Sequence, residues 1–388
     1  MCLYPTLIKN PKYKENKKNG GQIPAVLDIR TLYVPIGCQR CIECRRQKAR
    51  SWQVRMLEDI KTNTNGKFVT LTFSDQSIYK LNKIIQDDIN QEIDKIRHGR
   101  QFGEQERNKI NKLTWKRTGY ELDNAIATYA MRYFNERWRK HTGKAIRHWA
   151  ITELGHTGTE NIHLHGIVWT DETFETIAKR WDYGYIWPNT KKAIKKNYVN
   201  AKTINYSIKY ILKQDADHKE YRAKILTSPG IGSNYTETYN AKTNEYKPDG
   251  KTIETYRTKS GHKISMPIYW RNKIYSEEER ELLWIQKLDK QERWIQGERI
   301  SIKNGMDEYY KTLEWYRKRN IELGYGTNEN NWRRKEYEEA NRIIMQETRI
   351  KTYSIFPLHH LLGFQHRLIL YDLAIHPHLC PFHAMFLD

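Results

Sequence analysis

Two histidines stand two residues apart in the segment Ile162-His163-Leu164-His165-Gly166. Side chains on a β-strand alternate between faces, so a strand over 161–169 points both imidazoles the same way, with Leu164 and Gly166 opposite. Two imidazoles on one face can chelate a single divalent ion. Taken alone, the pattern also fits two ordinary histidines on a half-exposed strand. Glu153 strengthens the metal reading, because it ends the strand expected over 146–153. The turn Gly155-His156-Thr157-Gly158 then folds a hairpin that sets its carboxylate beside the histidines. Glu160 is nearer in sequence but sits in the turn, so Glu153 is the expected third ligand. A His-His-carboxylate set suits Mg²⁺ or Mn²⁺ and leaves coordination positions open for phosphate oxygens.

A second constellation lies on the helix expected over 203–214. With the helical period, Ile204, Ile208, Ile211 and Leu212 make an apolar stripe. Tyr206, Lys209, Tyr210 and Lys213 make another on the opposite face. Tyrosines that served only as core filler would lie with the isoleucines. A phenol with a pKa of about 10 is a poor nucleophile at neutral pH. Neighbouring ammonium groups favour its phenolate, and a metal that polarises a phosphate lowers the barrier further. The competing reading is a basic helix face whose tyrosines stack on bases.

The third set is Cys38, Cys41 and Cys44, at knuckle spacing, with Cys2 as a possible fourth ligand. Without an export signal, clustered cysteines read as metal ligands rather than disulfides. Four thiolates point to structural Zn²⁺; an iron–sulfur cluster uses the same ligands, but nothing nearby calls for redox work. The fifth cysteine, Cys380, stands in a tail with His359, His360, His366, His376, His378 and His383, where a second metal site is a weaker reading.

These residues need elements to hold them. Phe68-Val69-Thr70-Leu71-Thr72-Phe73 alternates like a strand. Residues 123–140 carry Ile126, Tyr129, Ala130, Tyr133, Phe134 and Trp138 along one side of a helix. A short helix is expected over 174–181 and an aromatic strand over 182–187. Residues 78–118 are polar and charge-mixed, and read as helices projecting from the sheet rather than as core. The expected organisation is a basic arm, cysteine knuckle and helix over 1–66, and a nicking domain over 67–225 with a helical insertion at 78–118. A loop-rich segment over 226–275 and a helical region over 276–388 follow. The fold class is α+β: a central antiparallel sheet of about five strands with flanking helices, plus the helical C-terminal region.

Composition narrows the partner. The chain has 67 basic and 46 acidic residues, a net charge of +21, which favours a polyanion. No stretch is long and apolar enough to span a bilayer, and Met1-Cys2-Leu3-Tyr4-Pro5 is no signal peptide. Aromatic residues interleave with basic ones, as in Tyr120, Tyr129, Arg132, Tyr133, Arg137, Trp138 and Arg139, a mixture suited to unpaired bases and phosphates.

The motifs together resemble the replication initiators of small single-stranded DNA bacteriophages, the microvirus (gokushovirus-like) replication proteins, and more broadly the HUH endonucleases. Phe68–Phe73 is similar to their structural strand motif, Ile162–Gly166 to their metal motif, and Tyr206-Ser207-Ile208-Lys209-Tyr210-Ile211-Leu212-Lys213 to their paired-tyrosine motif. The resemblance covers roughly 38–215, and Cys38 to Arg45 with Met1–Pro5 is similar to the gut-phage branch. It implies rolling-circle initiation through a tyrosine–5′-phosphate link to origin DNA, with a third metal ligand on a neighbouring strand. It also implies a host-cytoplasmic setting, a host polymerase and, since no Gly-rich phosphate loop is present, a host helicase. Two other readings use the same residues: a non-catalytic zinc-knuckle protein that binds single-stranded nucleic acid, and a relaxase or transposase of the same superfamily.

Overall fold

Six residues of alternating β-branched and aromatic character, bounded by Gly66 and Ser74, start the main sheet, and apolar runs on either side of a Gly-rich turn extend it. The computed structural model describes residues 2–355 apart from 100, 101, 159, 259, 260, 330 and 331. Its first elements are β1 (Thr6–Lys9), β2 (Tyr33–Ile36), α1 (Ile42–Asp59), β3 (Gly66–Leu71), α2 (Asp75–Arg97), α3 (Glu104–Thr114) and α4 (Gly119–Thr142). Next come β4 (Arg147–Leu154), β5 (Ile162–Trp169), α5 (Phe174–Trp181), β6 (Ile186–Trp187), α6 (Lys191–Lys195), α7 (Ala201–Leu212) and β7 (Ile225–Thr227). The remainder holds α8 (Tyr239–Lys242), β8 (Thr255–Arg257), β9 (Lys263–Ser265), α9 (Ile268–Ile274), α10 (Glu277–Asp289), β10 (Glu292–Ile295), β11 (Glu298–Ser301), α11 (Asp307–Glu322) and α12 (Trp332–Ile355).

The chain forms two compact units. One is built from Asn65–Tyr198, Glu220–Thr227 and the chain from Arg333 onward. Its sheet runs β6-β3-β5-β4-β7 with every neighbouring pair antiparallel, so the architecture is α+β with a five-stranded antiparallel sheet. One face carries Val69, Leu71, Ala150, Leu164 and Val168 and packs under helices: Ile126, Ala130 and Phe134 from α4, and Phe174, Ile177 and Trp181 from α5. Strand β5 approaches β4 so closely at Gly166 that an added Cβ would lie 2.5 Å from the Trp149 carbonyl oxygen, which excludes any larger residue. Burying apolar area at roughly 25 cal/mol per Å² makes this face the main source of the unit's stability.

Helix α2 departs from the sequence expectation. Ile78, Leu81, Ile85, Ile89 and Ile93 recur at helical spacing and are buried in this same core. They are scattered among charged residues, so composition hides a full apolar stripe. Helix α3 buries nothing and fits the expected insertion better.

The other unit is built from the chain up to Thr64, Val199–Lys219 and Ser228–Trp332. Helices α1 and α7 pack together here. A second core gathers Val54, Tyr235, Tyr256, Trp270, Tyr275 and Leu283, and a third gathers Leu3, Cys41, Ile42, Cys44, Ile295, Ile300, Tyr309 and Leu313. The stretch from 276 is not continuous long helix, because the β10–β11 hairpin interrupts it. Its turn uses Gln296 and Gly297, both at positive φ, between strands that read Glu-Arg-Trp-Ile and Glu-Arg-Ile-Ser. Among the described residues no helix is long and apolar enough to cross a membrane. The histidine-rich tail lies outside the described residues.

Candidate functional site

Strand register brings the first set together. In the antiparallel pair β4–β5, Glu153 stands opposite His163 and Ile151 opposite His165. Directly paired residues share a face, so the carboxylate and both imidazoles project from the sheet surface opposite the helix-covered core. Glu153 Oε2 lies 3.2 Å from His163 Nε2 and 2.8 Å from His165 Nε2. The two rings meet edge to face with centroids 4.8 Å apart. All three side chains are partly exposed, at 14%, 21% and 12% for Glu153, His163 and His165. Burial pushes the Glu153 carboxyl up, but hydrogen bonds from His163 and His165, with their positive charge, outweigh it and hold it well below the usual carboxylate range.

The other nitrogen of each ring is also engaged. His165 Nδ1 is 3.0 Å from Thr70 Oγ1, the residue opposite it on β3. His163 Nδ1 is 3.4 Å from the Asn161 carbonyl oxygen. Partners on Nδ1 fix the ring orientation and aim Nε2 at the ligand position, the arrangement that metal-binding histidines use. The donor set therefore fits a hard divalent ion: one atom each from Glu153, His163 and His165, all within 4.8 Å of one another.

The turn before His163 is held from two sides. Asn161 Nδ2 donates to Asp75 Oδ1 at 2.6 Å, at the start of α2. Glu160, at φ 48°, is gripped by Arg342 of α12: Nη1 donates to Glu160 Oε2 at 3.2 Å and Nη2 to its carbonyl oxygen at 3.0 Å. Glu160 thus pairs with an arginine, while Glu153 faces the histidines. Sequence reasoning misses Thr70 and Asn161 as site residues. For Thr70 the alternation within Phe68–Phe73 holds the signal, since it puts Thr70 on one face with Phe68 and Thr72. Arg342 gives no signal, because it sits in a run of similar charged residues.

The tyrosines sit on α7, capped by Asn200, whose side chain accepts from the Thr203 amide. Ile204, Ser207, Ile208 and Ile211 are buried, while Tyr206 and Tyr210 are half-buried on another face. Their hydroxyls share a hydrogen bond at 2.8 Å, and their rings meet edge to face at 5.5 Å. The Lys209 ammonium lies over the Tyr206 ring, 3.7 Å from its centroid, and 5.6 Å from that of Tyr210. Lys209 therefore meets the tyrosines as a cation over their faces. Lys213 falls at the C-cap, one residue past the helix, where the backbone leaves helical geometry.

The four cysteines also converge. Cys2, Cys38, Cys41 and Cys44 place their sulfurs within 4.8 Å of one another, at the start of α1.

The aromatic and basic residues of α4 divide. Tyr120 and Trp138 are buried. Arg137 is structural, donating to the carbonyls of Arg180 and Trp181 at 2.7 and 2.6 Å. Tyr129, Arg132 and Tyr133 remain as a partly exposed cluster, with the guanidinium 4.4 and 4.7 Å from the two ring centroids.

Residues 112–215 match the family model of the replication-associated protein ORF2. The matched span contains Glu153, His163, His165, Tyr206 and Tyr210. On this match the chain is similar to replication-associated proteins, which supports a role in initiating DNA replication. No curated protein and no solved structure matches the chain.

Proposed function

We propose that this protein initiates rolling-circle replication by nicking and rejoining single-stranded origin DNA through a tyrosine–5′-phosphate intermediate. The observation that carries the reading is the convergence of His163 Nε2 and His165 Nε2 on one oxygen of Glu153, inside the span that matches a replication-associated family. A Mg²⁺ or Mn²⁺ ion held by these three residues would supply Lewis acidity to a phosphate oxygen. Tyr206 or Tyr210 is the nucleophile. Its phenolate oxygen forms a bond to phosphorus as the P–O3′ bond breaks, and the departing 3′ oxygen takes up a proton. The 3′-OH primes synthesis. Joining is the reverse step, in which a 3′-OH attacks the phosphotyrosine and the tyrosine oxygen leaves.

Two tyrosines that share a hydrogen bond suit two successive transfers: when one phenol ionises, the other can donate to it. Lys209 and Lys213 are assigned to phosphate contact and charge support. The net charge of +21 favours binding of the origin strand. The setting is a phage-infected host, with host helicase and polymerase as partners. The test is mass spectrometry after incubation with single-stranded origin DNA and Mn²⁺. A nucleotide mass on the peptide carrying Tyr206 and Tyr210 is expected. An adduct on another residue, or DNA retained without any covalent link, would leave only a nucleic-acid-binding protein.

A further inference from the structure

The cysteine cluster lies outside the chemistry proposed above. Cys2 Sγ is 3.9 Å from Cys41 Sγ, and Cys38 Sγ is 4.0 Å from Cys44 Sγ. A disulfide would bring two sulfurs to about 2 Å. A tetrahedral ion with Zn–S bonds of about 2.3 Å sets its sulfurs about 3.8 Å apart along every edge. The observed separations are those of such a tetrahedron. A cluster of several irons with bridging sulfides needs more room inside its ligands than four sulfurs within 4.8 Å leave.

The surroundings agree with thiolate ligands. The amides of Tyr4 and Cys38 donate to Cys2 Sγ at 3.3 and 3.2 Å, and the Cys41 amide donates to Cys38 Sγ at 3.3 Å. Such donors stabilise sulfur that carries charge. At Gly37 an added Cβ would come within 3.0 Å of Cys44 Sγ, so the glycine leaves space for the sulfur. Leu3, Ile42, Ile295, Ile300, Tyr309 and Leu313 pack around the cluster and keep water away.

We propose that these four cysteines bind one zinc ion, and that this ion fixes the start of α1 as the support for α7. Cys41 is the N-cap of α1 and Cys44 lies in its first turn. At the next residue, Arg45 Nη1 donates to the carbonyl oxygen of Lys213, the C-cap of α7, at 3.0 Å. Further along, Gln53 Nε2 donates to Asn205 Oδ1 at 2.7 Å. The helix anchored by the metal is thus the one that grips both the end and the middle of the tyrosine helix. The ion also ties in the N-terminal segment through Cys2. The β10–β11 hairpin and α11 gain a role as its apolar cover, and Asn320 of α11 accepts from the Ile42 amide at 2.9 Å. The metal site stands on the sulfur geometry alone; its effect on DNA chemistry rests on the tyrosine assignment above.

The test uses the full chain, dialysed against EDTA to strip weakly held ions. Elemental analysis should give one zinc per chain. Exchange for Co²⁺ should give thiolate-to-cobalt charge-transfer absorption with the intense visible bands of tetrahedral cobalt. Both signals should vanish in a Cys41→Ser, Cys44→Ser double variant and persist in His163→Ala. Stripping the zinc should lower amide-exchange protection in α7 at least about tenfold while leaving α4 unchanged. Absence of thiolate-bound metal in the wild-type chain, or iron in its place, would overturn the site. Unchanged protection of α7 would overturn the positioning role. If the cysteine variant does not fold, the cobalt spectrum of the wild-type chain still decides. Zinc without a tyrosine–DNA adduct would count against the nicking reading alone, and an adduct without zinc against this one alone.

Discussion

Glu153 and His163 stand directly opposite each other in the antiparallel register of β4 and β5, and the same carboxylate oxygen reaches His165 two residues further along. A shift of one residue in this register would turn either the acid or the imidazoles into the opposite face. Sheet pairing, rather than loop conformation, therefore assembles the set. Replacing Glu153 with Gln keeps the shape and removes the charge. Mn²⁺ affinity, read by calorimetry, should fall at least about tenfold with the fold intact by circular dichroism. Unchanged affinity would remove Glu153 from the ligand set.

Thr70 supports the site from β3 through its contact with His165 Nδ1. Thr70→Val has almost the same volume but no hydroxyl. Freed at Nδ1, the ring loses the partner that orients it. Metal affinity and metal-dependent nicking are expected to fall about 10–100-fold, while Mn²⁺ at saturating concentration restores much of the rate. A variant that binds Mn²⁺ like the wild type would show that the threonine only fills space.

The tyrosine pair separates two roles by substitution. Each hydroxyl is 2.8 Å from the other, so losing one removes a hydrogen bond but leaves a phenol on the same helix face. Tyr206→Phe and Tyr210→Phe should each retain some adduct formation and impair the coupled cleavage and joining of a circle. The double variant should form no covalent adduct, assayed on denaturing gels with labelled origin strands. Adducts in the double variant would move the nucleophile elsewhere.

How much of this is legible in the sequence depends on the range of the forces involved. The sheet and both histidines are readable because alternation has a fixed period of two, and Glu153 follows once the intervening turn is recognised. The α7 stripes are readable for the same local reason. Helix α2 is misjudged because its isoleucines are diluted by Asp, Lys and Gln, so composition argues against a core that periodicity supports. The β10–β11 hairpin escapes notice because its strands are only four residues each and rich in charge. Arg342 is invisible, since its partners Asp123 and Glu160 lie 219 and 182 residues away in the chain.

That last contact carries the strongest stability prediction. Arg342 is 2% exposed and Asp123 is 1% exposed, with Nε donating to Asp123 Oδ2 at 2.7 Å and Nη2 to Oδ1 at 3.0 Å. The same guanidinium holds Glu160 and its carbonyl at the turn that leads into His163. Burial pulls the Arg342 pKa down, but Asp123 and Glu160 more than offset it, so the cation is kept. Arg342→Met removes the charge and leaves a buried carboxylate without its partner. Breaking such a pair costs about 3–5 kcal/mol, whereas removing both charges costs far less. Urea unfolding followed by tryptophan fluorescence should show that loss for Arg342→Met and substantial recovery in the Arg342→Met, Asp123→Leu double variant. Mn²⁺ affinity should also fall in the single variant, because the turn that presents His163 loses its grip. A single variant as stable as the wild type would mean that α12 does not clamp this turn.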